Sequence, residues 1–326
     1  MSIDAFILSA LRSAGEGSVS GGELAQRLGI SRAAVWARIE ELRSLGYEIE
    51  ASPHEGYRLL SVPDVLHADD LKSRLGKTRV VGREISVFQS TTSTSDVIEK
   101  LASDGVKEGA VVFAESQSKG RGRLGRKWLS PPQKGLWFSV LLRPDLRPLE
   151  ATRLTIAGAT ALVRAIRTET SLCPEIKWPN DILLEGRKVA GILTEMSAEL
   201  DQVKHVILGM GLDVNLNSSD FPPELRKQAT SLKIETGQSL NRATLAAAIL
   251  RELDHDYHRV CSSQFEAVAD EWEEVCSTLG RNVSIRVGER VIHGRAESLD
   301  DDGALRLRTQ HGHLERVIGG DVTVKK

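Results

Sequence analysis

Residues 117–128 read Gln117-Ser118-Lys119-Gly120-Arg121-Gly122-Arg123-Leu124-Gly125-Arg126-Lys127-Trp128, twelve residues of which five are cationic and three are glycine. Glycine lets a backbone wrap closely around a ligand, and Arg forks hold carboxylate or phosphate oxygens through paired bonds. Trp128 adds a flat apolar face on which an aromatic base can stack. Taken alone, the stretch also suits a solvated basic loop or an Arg-Gly segment that contacts RNA. Two features favour a ligand loop: Gly alternates with Arg, and the segment follows directly on the apolar strand candidate Ala110–Ala114.

Working outward, the flanking pattern is α/β. Further buried-strand candidates are Leu136–Leu142, Ile182–Leu184, Val189–Leu193 and Val203–Leu208, and helical candidates are Ser95–Ser103, Leu149–Thr168 and Leu240–Val260. Tight Gly-bearing or polar links join the strands at 182–184, 189–193 and 203–208, so they read as an antiparallel meander. A mixed sheet with helices is therefore expected, not a doubly wound parallel one. From about residue 277 the pattern changes to short alternating strands, 283–287, 291–299, 304–308, 313–318 and 321–324, broken by Gly-Glu, Asp-Asp-Gly, His-Gly and Gly-Gly. That spacing suggests a small β-barrel.

Toward the N-terminus, Ile3, Phe6, Ile7, Leu8 and Leu11 mark an amphipathic helix, and Ser20 opens a short second one with Glu23 three residues on. Gly29 turns the chain, Ser31 caps a third helix, Gly46 stops it, and Tyr47–Ala51 and Tyr57–Leu60 form a hairpin around Pro53-His54-Glu55-Gly56. This is a winged helix–turn–helix arrangement. In the third helix Val35, Ile39 and Leu42 face inward, while Ala33, Ala37, Glu40 and Ser44 face out with Arg32, Trp36 and Arg38 at the flanks. Small outward residues would let such a helix sit in a major groove. Charge speaks against a DNA reader: residues 1–62 carry six Arg and eight acids, or 6 − 8 = −2, which leaves a helical cap or dimerisation arm open.

The whole chain has 326 residues, 43 basic and 45 acidic side chains, which suggests two or three domains. No stretch approaches the roughly 20 apolar residues of a membrane span, and no secretory leader pattern is present. Cys173, Cys261 and Cys276 are too scattered for a disulfide framework or a thiolate metal site. A cytoplasmic protein is expected. Gly76-Lys77-Thr78 resembles the end of a phosphate-binding P-loop, but position 71 is Leu where Gly is needed. His255 and His258 share a helix face with Asp254, Asp256 and Arg259 and lack a third ligand, so they read as a solvated face.

Three more segments carry polar groups suited to a site. Lys177-Trp178-Pro179-Asn180-Asp181 places Asn180 and Asp181 where a strand begins, a good position for a carboxylate that touches Mg²⁺ or a ligand. Arg187-Lys188-Val189-Ala190-Gly191-Ile192-Leu193 puts Lys188 at the head of an apolar strand. Gly209-Met210-Gly211-Leu212-Asp213-Val214-Asn215 combines glycines with Asp213 and Asn215. A polar turn and a solvated edge Lys are the plainer readings of the first two in isolation.

In this order, the glycine–arginine loop, Lys-Trp-Pro-Asn-Asp and Arg-Lys-x-Ala-Gly-Ile-Leu closely resemble the biotin–protein ligases. Ser93-Thr94-Ser95 looks like that family's Ser-Thr-Asn biotin contact, and Ser31-Arg32-Ala33-Ala34 in a winged helix is similar to its bifunctional members, which also repress biotin operons. The family commonly has Asn at the places of Ser95 and Asp213; an Asp accepts hydrogen bonds but cannot donate as an amide does. The resemblance implies an α+β multidomain protein: a winged helix–turn–helix over 1–62, a mixed α/β ligase domain of class II synthetase type over 63–276, and an SH3-like β-barrel over 277–326. It also implies two-step ligation. Biotin and ATP give biotinyl-5′-adenylate with Mg²⁺ on the phosphates, and biotin passes to a lysine of a biotin carboxyl carrier protein.

Catalysis is then expected of Arg123, Asp181 and Lys188, with Asp181 also the Mg²⁺ contact. Biotin is expected at Ser93, Thr94, Ser95, Gln117, Gly120, Arg121, Gly122, Arg123 and Lys188. The nucleotide falls to Arg121, Arg126, Trp128, Asn180, Asp213 and Asn215. Operator DNA falls to Ser31, Arg32, Ala33, Trp36 and Arg38 of a homodimer, with no membrane partner. The rivals are a biotin sensor without ligase activity, a lipoyl-type acyltransferase using a covalent Cys, and a ligase whose winged helix is only a cap. Intact Lys188 and Asp181 argue against the first, and Cys173, outside any matching motif, against the second.

Overall fold

A computed structural model describes residues 2–324. The chain divides into two compact units, one running to Lys77 and including Asn241–Ala247, the other made of Thr78–Leu240 and the chain from Ala248 onward. In the first unit helices α1 (Ile3–Ser13), α2 (Gly21–Leu28) and α3 (Arg32–Ser44) precede a hairpin of β1 (Glu48–Ser52) and β2 (Gly56–Ser61) and helix α4 (Ala68–Leu75). Each of the first three helices starts on a serine whose hydroxyl accepts a backbone N–H: Ser2 from Ala5, Ser20 from Gly22 and Ser31 from Ala34. Gly29 closes α2 in the left-handed conformation, φ +67°.

Val35, Ile39 and Leu42 turn inward as their spacing requires, and pack with Ile7, Leu8, Leu11 and Leu24. Fully burying each such side chain stabilises the unit by about 1.5–3 kcal/mol. Val19 exchanges two backbone hydrogen bonds with Tyr57, at 2.8 and 2.9 Å, and so adds a third short partner to the wing. Gly56 is obligatory there: its φ is +104°, and a Cβ would lie 2.3 Å from the Val19 carbonyl oxygen. Helix α4 was not visible in the pattern. It buries the Asp70 carboxylate, 1% exposed, between Arg12 and Arg74.

The second unit is built on a seven-stranded sheet. Its elements are β3 (Glu84–Phe88), α5 (Thr94–Ser103), β4 (Ala110–Ala114), β5 (Gly135–Leu142), α6 (Thr152–Thr170), β6 (Glu175–Lys177), β7 (Asp181–Leu184), β8 (Arg187–Glu199) and β9 (Gln202–Asp213). Strand order is β3-β4-β5-β9-β8-β7-β6. Only β3 and β4 pair in parallel; the rest is antiparallel, including the β7-β8-β9 meander. All eight residues of β5 are buried, as a central strand covered on both faces demands.

Helices α7 (Leu232–Thr236), α8 (Arg242–Cys261) and α9 (Phe265–Glu274) follow. Then β10 (Asn282–Val287), β11 (Arg290–Leu299), β12 (Leu305–Thr309), β13 (Leu314–Val317) and β14 (Asp321–Val324) form an antiparallel sheet in the order β13-β12-β11-β10-β14.

Several boundaries differ from the sequence reading, β9 for one running to Asp213, five residues past the expected Leu208. The helix expected from Leu149 starts at Thr152, because Pro148–Ala151 forms a 3₁₀ turn. Strand β8 runs six residues past the expected Leu193, since β9 pairs with it to Glu199 while its outer half faces water and loses the apolar signal.

Candidate functional site

Strand β4 delivers the glycine–arginine loop to the mouth of a cleft of about 500 Å³ on the seven-stranded sheet. The loop is folded on itself. Trp128 N–H donates to the Gly120 carbonyl at 2.8 Å and Gly122 N–H to that of Arg126 at 2.7 Å, with Leu124 and Gly125 at φ +56° and +71° closing the turn. Gly120 itself lies behind the wall of the cleft, where a Cβ would meet the Trp128 carbonyl oxygen at 2.6 Å.

Each loop arginine is aimed by a partner from elsewhere. Arg121 donates to both Glu195 oxygens at 3.1 Å and to Asp96 at 2.5 Å. Burial works against its charge, but these two carboxylates outweigh it and hold the guanidinium pKa above its ordinary value. Arg123 donates to the Asn180 side-chain oxygen at 3.0 Å; burial lowers its pKa, while Asp181 and Asp321 pull it back up. Arg126 reaches Asp321 at 2.6 Å, which brings the C-terminal sheet to the rim.

On the floor, Lys188 Nζ lies 2.5 Å from Asp181 Oδ1 and 5.1 Å from the centre of the Trp128 ring. The indole rests on two glycines that face each other across β8 and β9, Gly191 and Gly211. A Cβ on Gly211 would sit 2.5 Å from the ring, so the close seat requires glycine. At the other end of the cleft, Gln117 Oε1 accepts from Thr94 N–H at 2.9 Å, and its amide donates to Ser130. The buried hydroxyls of Thr94 and Ser95 both meet Ser139 Oγ, at 2.8 and 3.1 Å. Ser93 lies beside them, 2% exposed.

The fold thus gathers Ser93, Thr94, Ser95, Gln117, Arg121, Gly122, Arg123, Arg126, Trp128, Asn180, Asp181, Lys188 and Asp213 around one cleft. Asn215 is not on its wall; its side chain clasps the backbone of Leu240 by two bonds of 2.9 Å. Sequence reading missed Ser139, Glu195, Asp96, Asp321 and the pairing of Gly191 with Gly211. Each is defined by a contact across the sheet or across 25 to 195 residues of chain, which no local pattern carries. Among the described residues no three His, Cys, Asp or Glu side chains converge as a metal cage, and none of the helices is long and apolar enough to cross a membrane.

In the first unit, Ser31 caps α3, while Arg32, Ala33 and Trp36 are exposed, Trp36 by 57%. Arg38 is turned away from that role: it pairs with Asp4 at 2.6 Å and with Glu41 at 2.6 Å.

These features coincide with known families. Residues 87–213 match the biotin/lipoate A/B protein ligase family, residues 5–58 an HTH domain, and residues 278–325 the biotin protein ligase C-terminal domain. The bifunctional ligase/repressor BirA of Bacillus spizizenii is 40% identical over 310 residues, covering 95% of this chain and 94% of its own. The chain belongs to the bifunctional biotin ligase/repressor family. BirA of Escherichia coli K12, another member, is 30% identical over 94% of this chain and 92% of its own. A biotin protein ligase from Aquifex aeolicus, solved in complex with biotin and ATP, superposes with a TM-score of 0.64 at 28% identity, covering 75% of this chain and 99% of that one.

Proposed function

We infer that this protein is an ATP-dependent biotin–protein ligase that forms biotinyl-5′-adenylate and passes biotin to a lysine of a biotin carboxyl carrier protein, and that it represses biotin genes. The observation that carries the ligase reading is the cleft itself, where Lys188, Arg121, Arg123 and Arg126 line a pocket that also holds an apolar, hydroxyl-lined end. In the first step a biotin carboxylate oxygen attacks the α-phosphorus of ATP and pyrophosphate leaves. Two anions must meet, so fixed cations on the developing phosphate charge are the main protein contribution. Lys188 is held for that task by Asp181. Thr94, Ser95, Ser139 and Gln117 offer donors and acceptors for a neutral bicyclic ring, and the Trp128 face offers a stacking surface for adenine. In the second step the carrier amine attacks the acyl carbon, AMP leaves, and the amine proton goes to solvent. No covalent nucleophile on this chain is needed.

Asp181 is the cleft carboxylate expected to touch Mg²⁺, and Lys188 lies on it. Mg²⁺ is bound chiefly by phosphates and water when it accompanies ATP, which asks at most one or two carboxylates of the protein. In this reading the division of labour is winged helix over 1–62, ligase over 63–276 with a class II synthetase-like sheet, and an SH3-like barrel over 277–326. The protein works as a cytoplasmic homodimer whose two winged helices engage operator half-sites. Mass spectrometry of the purified protein with biotin, ATP and Mg²⁺, with and without an apo carrier domain, tests the ligase reading. A gain of one biotinyl group on the carrier, with AMP and pyrophosphate released, is expected; an unmodified carrier would refute it.

A further inference from the structure

Asp213 is the last residue of β9, opposite Gly135 of β5, and it lines the cleft while only 5% exposed. Its carboxyl accepts no hydrogen bond from the described residues, whereas Lys188 is engaged with Asp181 and Asn180 with Arg123 and Ile192; the buried Trp128 indole N–H, over Gly211, is likewise without a partner among the described residues. A carboxylate left so buried without a donor is costly, whereas a neutral acid in the same place is not.

The charged groups that line the same cleft are Lys188 on β8, Asp181 on β7, Lys177 on β6, Lys227 beyond β9, Arg121, Arg123, Arg126 and Lys127 of the glycine–arginine loop, and Asp321 on β14. Lys134, beside Gly135, is drawn 3.5 Å to Asp220 instead. Of these only Lys188 acts on Asp213, and its ammonium already serves Asp181. One cation is therefore shared by two acids, and burial raises the Asp213 pKa well above the usual carboxylate range against the opposing pull of Lys188.

Building on the ligase reading above, we propose that Asp213 works as the neutral acid, donating a hydrogen bond to an anionic oxygen of the nucleotide or of the adenylate. A protonated carboxyl presents one donor beside an acceptor, as a carboxamide does, so it can approach a phosphate oxygen that an ionised carboxylate would repel. Ionising Asp213 then withdraws the donor and adds a like charge to the phosphate site in one event. Asp213 is thus a positioning residue whose protonation sets an upper pH limit on adenylation.

Infrared difference spectra of the full-length protein against Asp213→Asn at neutral pH read the protonation directly. The wild type should show the carbonyl stretch of a protonated carboxylic acid that the variant lacks, and biotinyl-adenylate should shift that band. In pyrophosphate-release assays the ratio of variant to wild-type rate should climb with pH, approaching about tenfold per unit once Asp213 ionises. An absent band, a band indifferent to the adenylate, or parallel pH profiles would overturn the proposal, as would a variant that loses adenylation equally at every pH. A wild type that released no pyrophosphate would instead refute the ligase reading, and the band would still decide the state of Asp213.

Discussion

The glycine–arginine loop and helix α3 both carry exposed arginines, and they place them in opposite ways. In the loop, Arg121, Arg123 and Arg126 are each held by an acid or amide from a distant element, so that cationic groups are fixed around a cleft before any ligand arrives. In the N-terminal residues 1–62, Arg12, Arg27, Arg38, Arg43 and Arg58 are all bound up with acids of the same unit. Arg32 is left without an ion pair among the described residues. A pre-arranged field suits a small anionic substrate. A single open arginine among residues 1–62, whose net charge is −2, suits DNA binding only where two copies act together.

The largest test of that contrast is Lys188→Ala. Adenylation should lose about 2–4 kcal/mol, roughly 30- to 900-fold in rate, while transfer from supplied biotinyl-adenylate falls far less. Rapid-quench assays of the two half-reactions separate them; an equal loss in both would make Lys188 a binding or folding residue and remove the fixed-field argument.

Next comes Gly211→Ala. The added Cβ would displace the Trp128 indole, and overpacking of this kind costs about 1–3 kcal/mol. Nucleotide affinity by calorimetry should drop while biotin affinity, set at the Ser93–Ser139 end, holds. Loss of both would mean the two ends of the cleft are not independent.

Arg32→Ala addresses the other region. Operator binding should weaken and its salt dependence should flatten by about one phosphate contact per copy, with ligation untouched. Anisotropy titrations should also find tight binding only with biotin and ATP present: in the proposed homodimer, a ligand that favours dimerisation strengthens DNA binding and is strengthened by DNA in turn. Weak binding of wild type and variant alike, with or without adenylate, would leave the winged helix a structural cap.

The smallest effect concerns Asp96. Burial would raise its pKa, but hydrogen bonds from Arg121 and Thr92 outweigh that and hold it below the ordinary value. Its contribution to loop closure is therefore complete above the unfolded pKa of about 3.9 and is lost as pH falls through the lower folded value. Both partners are more than a third exposed, so Asp96→Asn should cost at most about 1 kcal/mol. Hydrogen exchange over 117–128 should quicken in the variant and slow on adding adenylate; exchange insensitive to both would show that the Arg121 contacts do not govern the loop.

Much of this was legible in the chain because the strongest signals are local. Capping serines, the Gly29 turn and the Val35–Ile39–Leu42 face define the winged helix within a few residues of each other. The loop and the motifs at 177–181 and 187–193 likewise announce a site by composition alone. What stayed hidden is pairing: β3, Glu84-Ile85-Ser86-Val87-Phe88, alternates over only a few residues and buries Ile85 alone, and nothing local in it shows that it adds the one parallel strand. Ser139 looks like any polar interruption of an apolar run until the register sets it beside Gly209, across from Thr94 and Ser95. Arg38 was read as a groove residue because helix geometry places it at the outer flank, and only the fold reveals Asp4 within reach.

The contact between Arg126 and Asp321 has a consequence in time as well as space. Arg126 leaves the ribosome 195 residues ahead of the acid that aims it, and Gly320 and Val322 complete the same rim. At ordinary elongation rates of about 5–20 residues per second, the nascent loop spends roughly ten seconds or more without that partner. A nascent chain therefore holds Arg121 and Arg123 through Asp96, Glu195 and Asn180 as soon as its sheet folds, while the Arg126 end of the loop still lacks its partner. Nucleotide affinity of chains stalled with the sheet exposed should accordingly be lower, and should rise modestly once the strand carrying Asp321 has cleared the exit tunnel.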